Sequence, residues 1–301
     1  SLKKITISNA TEITPEIFDG CSQLTQIIIE KDDQSQTEKY EYVDNTFLIK
    51  KDRNSILFTN PTIQNITIPS SIKEFAPGAF YGSPITQIVI PSSITFISKS
   101  AFRKCESLKD ITIPSSVTSI DEYAFCGCHS LEQITIPSSV TTIKDSAFEN
   151  CTSLQKIEIP SSITSIKPYV FCCCSSLQSI EIPSSVTHYE RHSFDGCSSL
   201  KSIEIPSSMT EIKANTFSGC SSLTQIKIPS SVTKIEDQAF KGCTSLKQLI
   251  IPSSVTFIES YSFAECSSLE QVDIPSSIKT IESGIFQGCS SLTEIKIPDS
   301  V

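Results

Sequence analysis

Apolar residues recur along this chain with two alternating spacings. In Leu131-x-x-Ile134-x-Ile136 the last two apolar side chains lie two residues apart, the period of a strand with one face in a core and Thr135 facing out. Pro137 cannot donate to a ladder and so bounds that strand, and Ser138-Ser139 turns the chain. Val140-x-x-Ile143 predicts a second short extended run. The stretch from Ala147-Phe148 to Cys151 leaves room for one helical or 3₁₀ turn at most.

This order of positions repeats. Pro91, Pro114, Pro137, Pro160, Pro183, Pro206, Pro229, Pro252, Pro275 and Pro298 are each 23 residues apart. One such coil buries too little to close a core, but stacking at about 4.8 Å per rung lets each coil cover the next. The pattern therefore predicts a leucine-rich-repeat solenoid, a right-handed curved array of 23-residue coils. Each coil carries a short parallel β-strand, a second short extended run and a helical or 3₁₀ turn. All of 1–301 reads as one solenoid, with an N-terminal repeat at 1–29, an insertion at 30–65 and about ten consecutive repeats over 66–301. Within the insertion, Phe47-Leu48-Ile49 and Ile56-Leu57-Phe58 flank a polar turn and predict a β-hairpin. The rung at Phe80–Ile85 is one residue short and lacks its cysteine. Because the chain opens and stops inside a repeat unit, it reads as a fragment.

The run Ile-Pro-Ser-Ser-Val-Thr-x-Ile-x-x-x-Ala-Phe-x-x-Cys-x-Ser-Leu resembles the Treponema pallidum class of leucine-rich repeats, found in BspA-like surface proteins. The likeness covers nearly the whole chain, insertion included. It implies a non-enzymatic cell-surface or secreted protein that binds host matrix proteins, other cells or glycans, presenting its concave strand face to the partner. It fixes no ligand residues, because the motif describes the core.

Charge narrows the partners. The net charge is −9 and no run of five Lys or Arg occurs, so nucleic acid is excluded as the expected ligand. No stretch of about 18 uninterrupted apolar residues is present, so direct membrane insertion is not expected of this fragment, and residues 1–30 lack the pattern of a signal peptide. Asn9, Asn65 and Asn150 begin N-glycosylation triplets, which bear on function only in a secretory pathway.

Thirteen cysteines would suggest disulfides in a small secreted chain, but their spacing points elsewhere. Cys105, Cys128, Cys151, Cys174, Cys197, Cys220, Cys243, Cys266 and Cys289 share one repeat position, with Cys21 equivalent further back. Parallel side chains in a stack suit disulfide geometry poorly, so these read as buried free thiols, packing or bonding weakly to backbone near a turn. Cys126, Cys172 and Cys173 lie off this ladder, in spacing unlike that of tetrahedral zinc sites. No metal, no other cofactor and no catalytic residue is expected.

Function should therefore lie in positions that the repeat leaves free. The outward strand position reads Thr67, Val89, Thr112, Thr135, Glu158, Glu181, Glu204, Lys227, Ile250, Asp273 and Lys296. Glu158, Glu181 and Glu204 form an acidic column suited to a cationic partner, and Lys227 follows on the next rung. A second candidate patch is His188, Tyr189, Arg191 and His192, where Tyr189 stands in the place of the usual Ile. Phe96 and Phe257 share another outward slot. Two functional classes stay open: a surface adhesion module and an intracellular protein-protein scaffold.

Overall fold

The computed structural model describes residues 2–18, 21, 23–30 and 38–301, arranged in two compact units, residues 1–151 and 152–301. In each unit parallel strands about one repeat apart stack into a solenoid.

The first unit opens with β1 (Lys4–Ser8) and β2 (Gln26–Glu30), paired in parallel with Ile5 opposite Ile27. Between them lies a 3₁₀ turn, Pro15–Phe18. The inserted segment, of which residues 31–37 lie outside the described residues, forms an antiparallel meander of β3 (Tyr40–Val43), β4 (Phe47–Lys50) and β5 (Ser55–Thr59). β5 then pairs in parallel with β6 (Glu74–Phe75), which feeds the insertion into the regular coils. Buried Tyr40 ties this meander to the first coil, its hydroxyl donating to the Thr11 carbonyl at 3.1 Å and accepting the Ile13 amide at 2.9 Å.

Two strand columns follow in this unit. Gln87–Val89, Asp110–Thr112 and Gln133–Thr135 form the first, with only the middle side chain buried in each. Phe96–Ile97, Ser119–Ile120 and Thr142–Ile143 form the second. The second unit repeats the plan. Lys156–Glu158, Gln248–Ile250 and Gln271–Asp273 belong to its first column. Ser165–Ile166, His188–Tyr189, Glu211–Ile212, Lys234–Ile235 and Phe257–Ile258 belong to its second.

The repeat motif is explained by what each polar residue bonds. The second serine of Pro-Ser-Ser donates its hydroxyl to a carbonyl one coil back, as in Ser139 to Val117 at 2.7 Å, Ser185 to Ile163 at 2.7 Å and Ser231 to Met209 at 2.7 Å. Two residues later the threonine amide bonds the preceding threonine carbonyl, as in Thr141 to Thr118 at 2.9 Å. The ladder cysteines stay free thiols and donate to a phenylalanine carbonyl 26 residues earlier, as in Cys128 to Phe102 at 3.1 Å and Cys220 to Phe194 at 3.3 Å. At the short rung the same bond spans 25 residues, from Cys105 to Phe80.

The expected helical turn is replaced. Among the described residues the only 3₁₀ segment is Pro15–Phe18, and the other coils use successive tight turns with left-handed residues between them. In residues 123–128 the amides of Ala124, Cys126 and Cys128 bond within the turn, whereas those of Tyr123, Phe125 and Gly127 reach Asp145, Ala147 and Glu149 on the next coil. A helix would direct every amide along its own axis and leave the neighbouring carbonyls unmet. Positive φ at Tyr123 and Gly127, 58° and 75°, turns alternate amides outward.

The phenylalanines stack through the middle of each unit. Phe102, Phe125 and Phe148 lie with neighbouring centroids 5.4 Å apart, and Phe171, Phe194, Phe217, Phe240 and Phe263 with separations of 5.4–5.9 Å. Burying each such ring stabilises by about 1.5–3 kcal/mol, and near-parallel contact adds about 0.5–1.5 kcal/mol.

One glycine is required by its neighbour. Gly284 has φ +65°, and a Cβ there would run into the ring edge of Tyr261. Gly284→Ala should therefore lower stability by about 1–3 kcal/mol in urea denaturation, and adding Tyr261→Ser should recover the steric share. An unchanged midpoint in the single variant would refute this account.

Candidate interaction surface

The outward side chains of the first strand column in residues 152–301 form the surface most open to a partner. Glu158, Glu181 and Glu204 are all exposed, and Glu158 pairs with Glu181 across adjacent rungs. Lys156 lies 2.8 Å from Glu158 on the same strand and holds its carboxyl below the usual carboxylate range. The acidic column is thus neutralised at one end, while Glu181 and Glu204 continue it. Exposed Lys227 follows.

Beyond it stands Ile250, 78% exposed on a strand whose central Leu249 is buried. Gln248, Gln271, Asp273, Glu294 and Lys296 line with it an open concavity of about 790 Å³. An aliphatic side chain left in water within a polar frame has the make-up of an interface centre and its rim. Val89 takes the same strand position in the first unit and is 70% exposed.

The run His188–His192 does not form one patch. Tyr189 is buried at 1% exposure, packed edge-on against Phe194 and Phe217, and its hydroxyl donates to the Glu204 carbonyl at 2.5 Å. It is a core residue, and the expectation that it contacts a ligand is corrected. Its strand position points into the coil, where neighbouring coils carry Ile166 and Ile212. His188, beside it, is exposed, with Nδ1 2.9 Å from the Thr187 hydroxyl and Nε2 3.6 Å from Glu190.

His192 lies in the turn, with φ 55°, stacked on Tyr169 at 4.5 Å and with Nδ1 2.9 Å from Asp195. Arg191 is exposed, and its carbonyl accepts the Tyr169 amide. The Tyr169–His192 stack had no signal in a strand-based reading, because it belongs to a left-handed turn column.

On the second strand column, charges pair with one another. Lys213 bonds Glu211 and lies 3.2 Å from Glu236, and Lys234 lies 2.6 Å from Glu259. Glu236 and Glu259 also accept the amides of Ala214 and Asp237 at 3.0 and 2.9 Å. Lys213 lowers the Glu211 pKa, and the lysines are raised in turn. This network braces successive coils. Phe257, in the same column, is 38% exposed.

The ladder thiols are buried, and loss of solvent raises their pKa values, Cys266 to about 12, which makes them poor nucleophiles. Off the ladder, the Cys172 and Cys173 sulfurs lie 3.6 Å apart, and Cys126 is buried. Among the described residues no three His, Cys, Asp or Glu are grouped to hold a metal ion, and no helix is long and apolar enough to cross a membrane. Asn9 is 3% exposed and its side-chain oxygen accepts the Lys39 amide, so the folded chain does not present that glycosylation triplet.

The sequence pattern of the BspA type leucine-rich-repeat region matches residues 1–50, 54–124, 95–224 and 210–301, in six copies. The chain belongs to this BspA-type leucine-rich-repeat family. Among solved structures, it is similar to a leucine-rich cell surface protein from Faecalibacterium prausnitzii, with 28% identity and TM-score 0.67 over 90% of this chain and 84% of the other. Two others share the fold. A leucine-rich repeat protein from Eubacterium ventriosum matches at 23% identity and TM-score 0.56, covering 100% of this chain and 85% of that one. The pneumococcal vaccine antigen PcpA matches at 22% identity and TM-score 0.58, covering 100% and 71%. No curated protein matches the chain.

Proposed function

We propose that this BspA-type repeat chain is a non-catalytic protein-interaction module, displayed at a cell surface, that binds through its first strand column. The observation that carries this reading is Ile250, an aliphatic side chain 78% exposed in the lining of a largely polar concavity. The acidic column of Glu158, Glu181 and Glu204 supplies long-range attraction for a basic face of the partner. Display at a surface is supported by the likeness to the Faecalibacterium cell surface protein. Host matrix proteins, other cells and glycans are the partner classes that follow from such display.

The test is binding of immobilised matrix proteins by the chain and two variants. Ile250→Asp should raise the dissociation rate at least about tenfold, the loss of one buried interface anchor. The triple substitution Glu158→Lys, Glu181→Lys, Glu204→Lys should slow association and flatten its salt dependence. Unchanged kinetics in both would remove the strand face as the site.

A second reading, an intracellular scaffold, draws on thirteen cysteines that are all free thiols. Antibody labelling of intact cells separates the two, since signal that appears only after permeabilisation favours the scaffold.

A further inference from the structure

The stack is not uniform in residues 152–301. Between the coil of Val186 and the coil of Met209, as between those of Val255 and Ile278, bonds that join the other coils of this unit are missing. Thr187 bonds back to the Thr164 carbonyl and Thr233 to Thr210, but no bond joins the Thr210 amide to Thr187. Glu190 and Glu236 reach the carbonyls of Ile166 and Ile212, but the Lys213 amide does not reach Tyr189. His188–Tyr189 pairs with Ser165–Ile166 on one side and is unpaired with Glu211–Ile212 on the other.

The serine contact also slips. Ser208 donates to the Thr187 carbonyl at 3.2 Å, across 21 residues, where Ser185 and Ser231 span 22 at 2.7 Å. The turn edge stays closed, because His192, Phe194 and Gly196 still bond Ala214, Thr216 and Ser218. The two coils therefore part on one side only, as a wedge.

Tyr189 spans the wedge. Its ring is longer than the isoleucine of adjacent coils, and it reaches across the gap to Phe217 and to the Glu204 carbonyl. The gap contains a cleft of about 280 Å³, lined by Ile182, Pro183, Val186, Thr187, Glu204 and Pro206 with the serines that follow. Its lining mixes aliphatic Ile182, Pro183, Val186 and Pro206 with hydroxyls of Ser184, Thr187, Ser207 and Ser208, and Glu204 of the acidic column stands at its side. Aliphatic groups beside a carboxylate and hydroxyl acceptors suit a long alkyl chain ending in a cation.

We infer that this inter-coil cleft is a subsite for a lysine or arginine side chain of a protein partner, opened by Tyr189 and given its charge preference by Glu204. It deepens the proposed binding function, since it gives the acidic column a place where a basic residue seats.

The test uses the full ¹⁵N-labelled chain titrated with the peptide acetyl-Gly-Lys-Gly-amide and with its norleucine counterpart. The lysine peptide should shift the amides of Val186, Thr187, Ser207 and Ser208 saturably, and the norleucine peptide should bind at least about tenfold more weakly. Tyr189→Ile, which restores the residue of neighbouring coils, should abolish those shifts in a folded protein. Glu204→Gln should weaken binding by about fivefold. Retention of the shifts in Tyr189→Ile, or equal binding of the norleucine peptide, would overturn the assignment. The peptide titration reads the cleft alone, whereas the strand-face reading stands on protein binding by Ile250→Asp, so the two failures are separate results.

Discussion

At pH 10 the chain is expected to lose most or all of the stability it has at pH 7, through its cysteines. Cys105, Cys128, Cys151, Cys197, Cys220, Cys243, Cys266 and Cys289 all have raised pKa values, with burial as the leading cause. Each must stay protonated while folded, whereas an unfolded thiol ionises near pH 8.5. The unfolded state thus releases protons that the folded state keeps. The contribution is complete below the unfolded pKa and drains away between it and the raised folded value. At pH 10 this amounts to about 2 kcal/mol for each fully buried thiol, and several acting together are comparable with the roughly 5–15 kcal/mol that holds an ordinary domain. Urea denaturation at pH 7, 8, 9 and 10 measures the slope. Cys220→Ala should shallow it by one proton's share, about 1.4 kcal/mol per pH unit, and a flat profile up to pH 10 would show that the ladder is not buried as described.

Phe217→Ala should have the largest effect of any single truncation along the aromatic stack. Phe217 is fully buried between Phe194 at 5.9 Å and Phe240 at 5.4 Å, and it also takes the edge of Tyr189. Removing the ring loses contacts on both coil faces and leaves a cavity, for about 3–5 kcal/mol. Coils touch chiefly their neighbours, so the damage should concentrate around this one and the unit should unfold in two steps. The denaturant slope of the first step would then fall, and hydrogen exchange would quicken first in residues 194–240. Phe217→Leu should restore roughly half of the loss. A single transition with an unchanged midpoint would contradict the stacking account.

The fold was legible in the sequence where one residue type meets one need on every coil. Proline ends the first strand, the second serine bonds backwards and the cysteine donates to a carbonyl, so period and register could be read from spacing. Left-handed turns were not legible, because Tyr123, Ser146, Tyr169 and His192 occupy one turn column with no common side chain to mark the sign of φ. Tyr189 misled for a related reason. A tyrosine between two histidines looks like surface chemistry, yet strand alternation places it inward, and following the isoleucine column through that rung would have shown this. The acidic column was legible as a list of outward residues. The cleft beside it was not, since it arises from bonds that fail to form.

Each cysteine bond from Cys128 onward that the ladder shows spans 26 residues, one repeat and three positions more, so its geometry refers only to the preceding coil. Recombination that adds or deletes a whole 23-residue unit leaves every such donor facing a carbonyl in its usual register. Length can therefore drift by whole units at little energetic cost. The wedge of Tyr189, which needs Glu204 and Phe217 on the coil that follows, travels differently: it is inherited, copied or lost as a two-coil cassette.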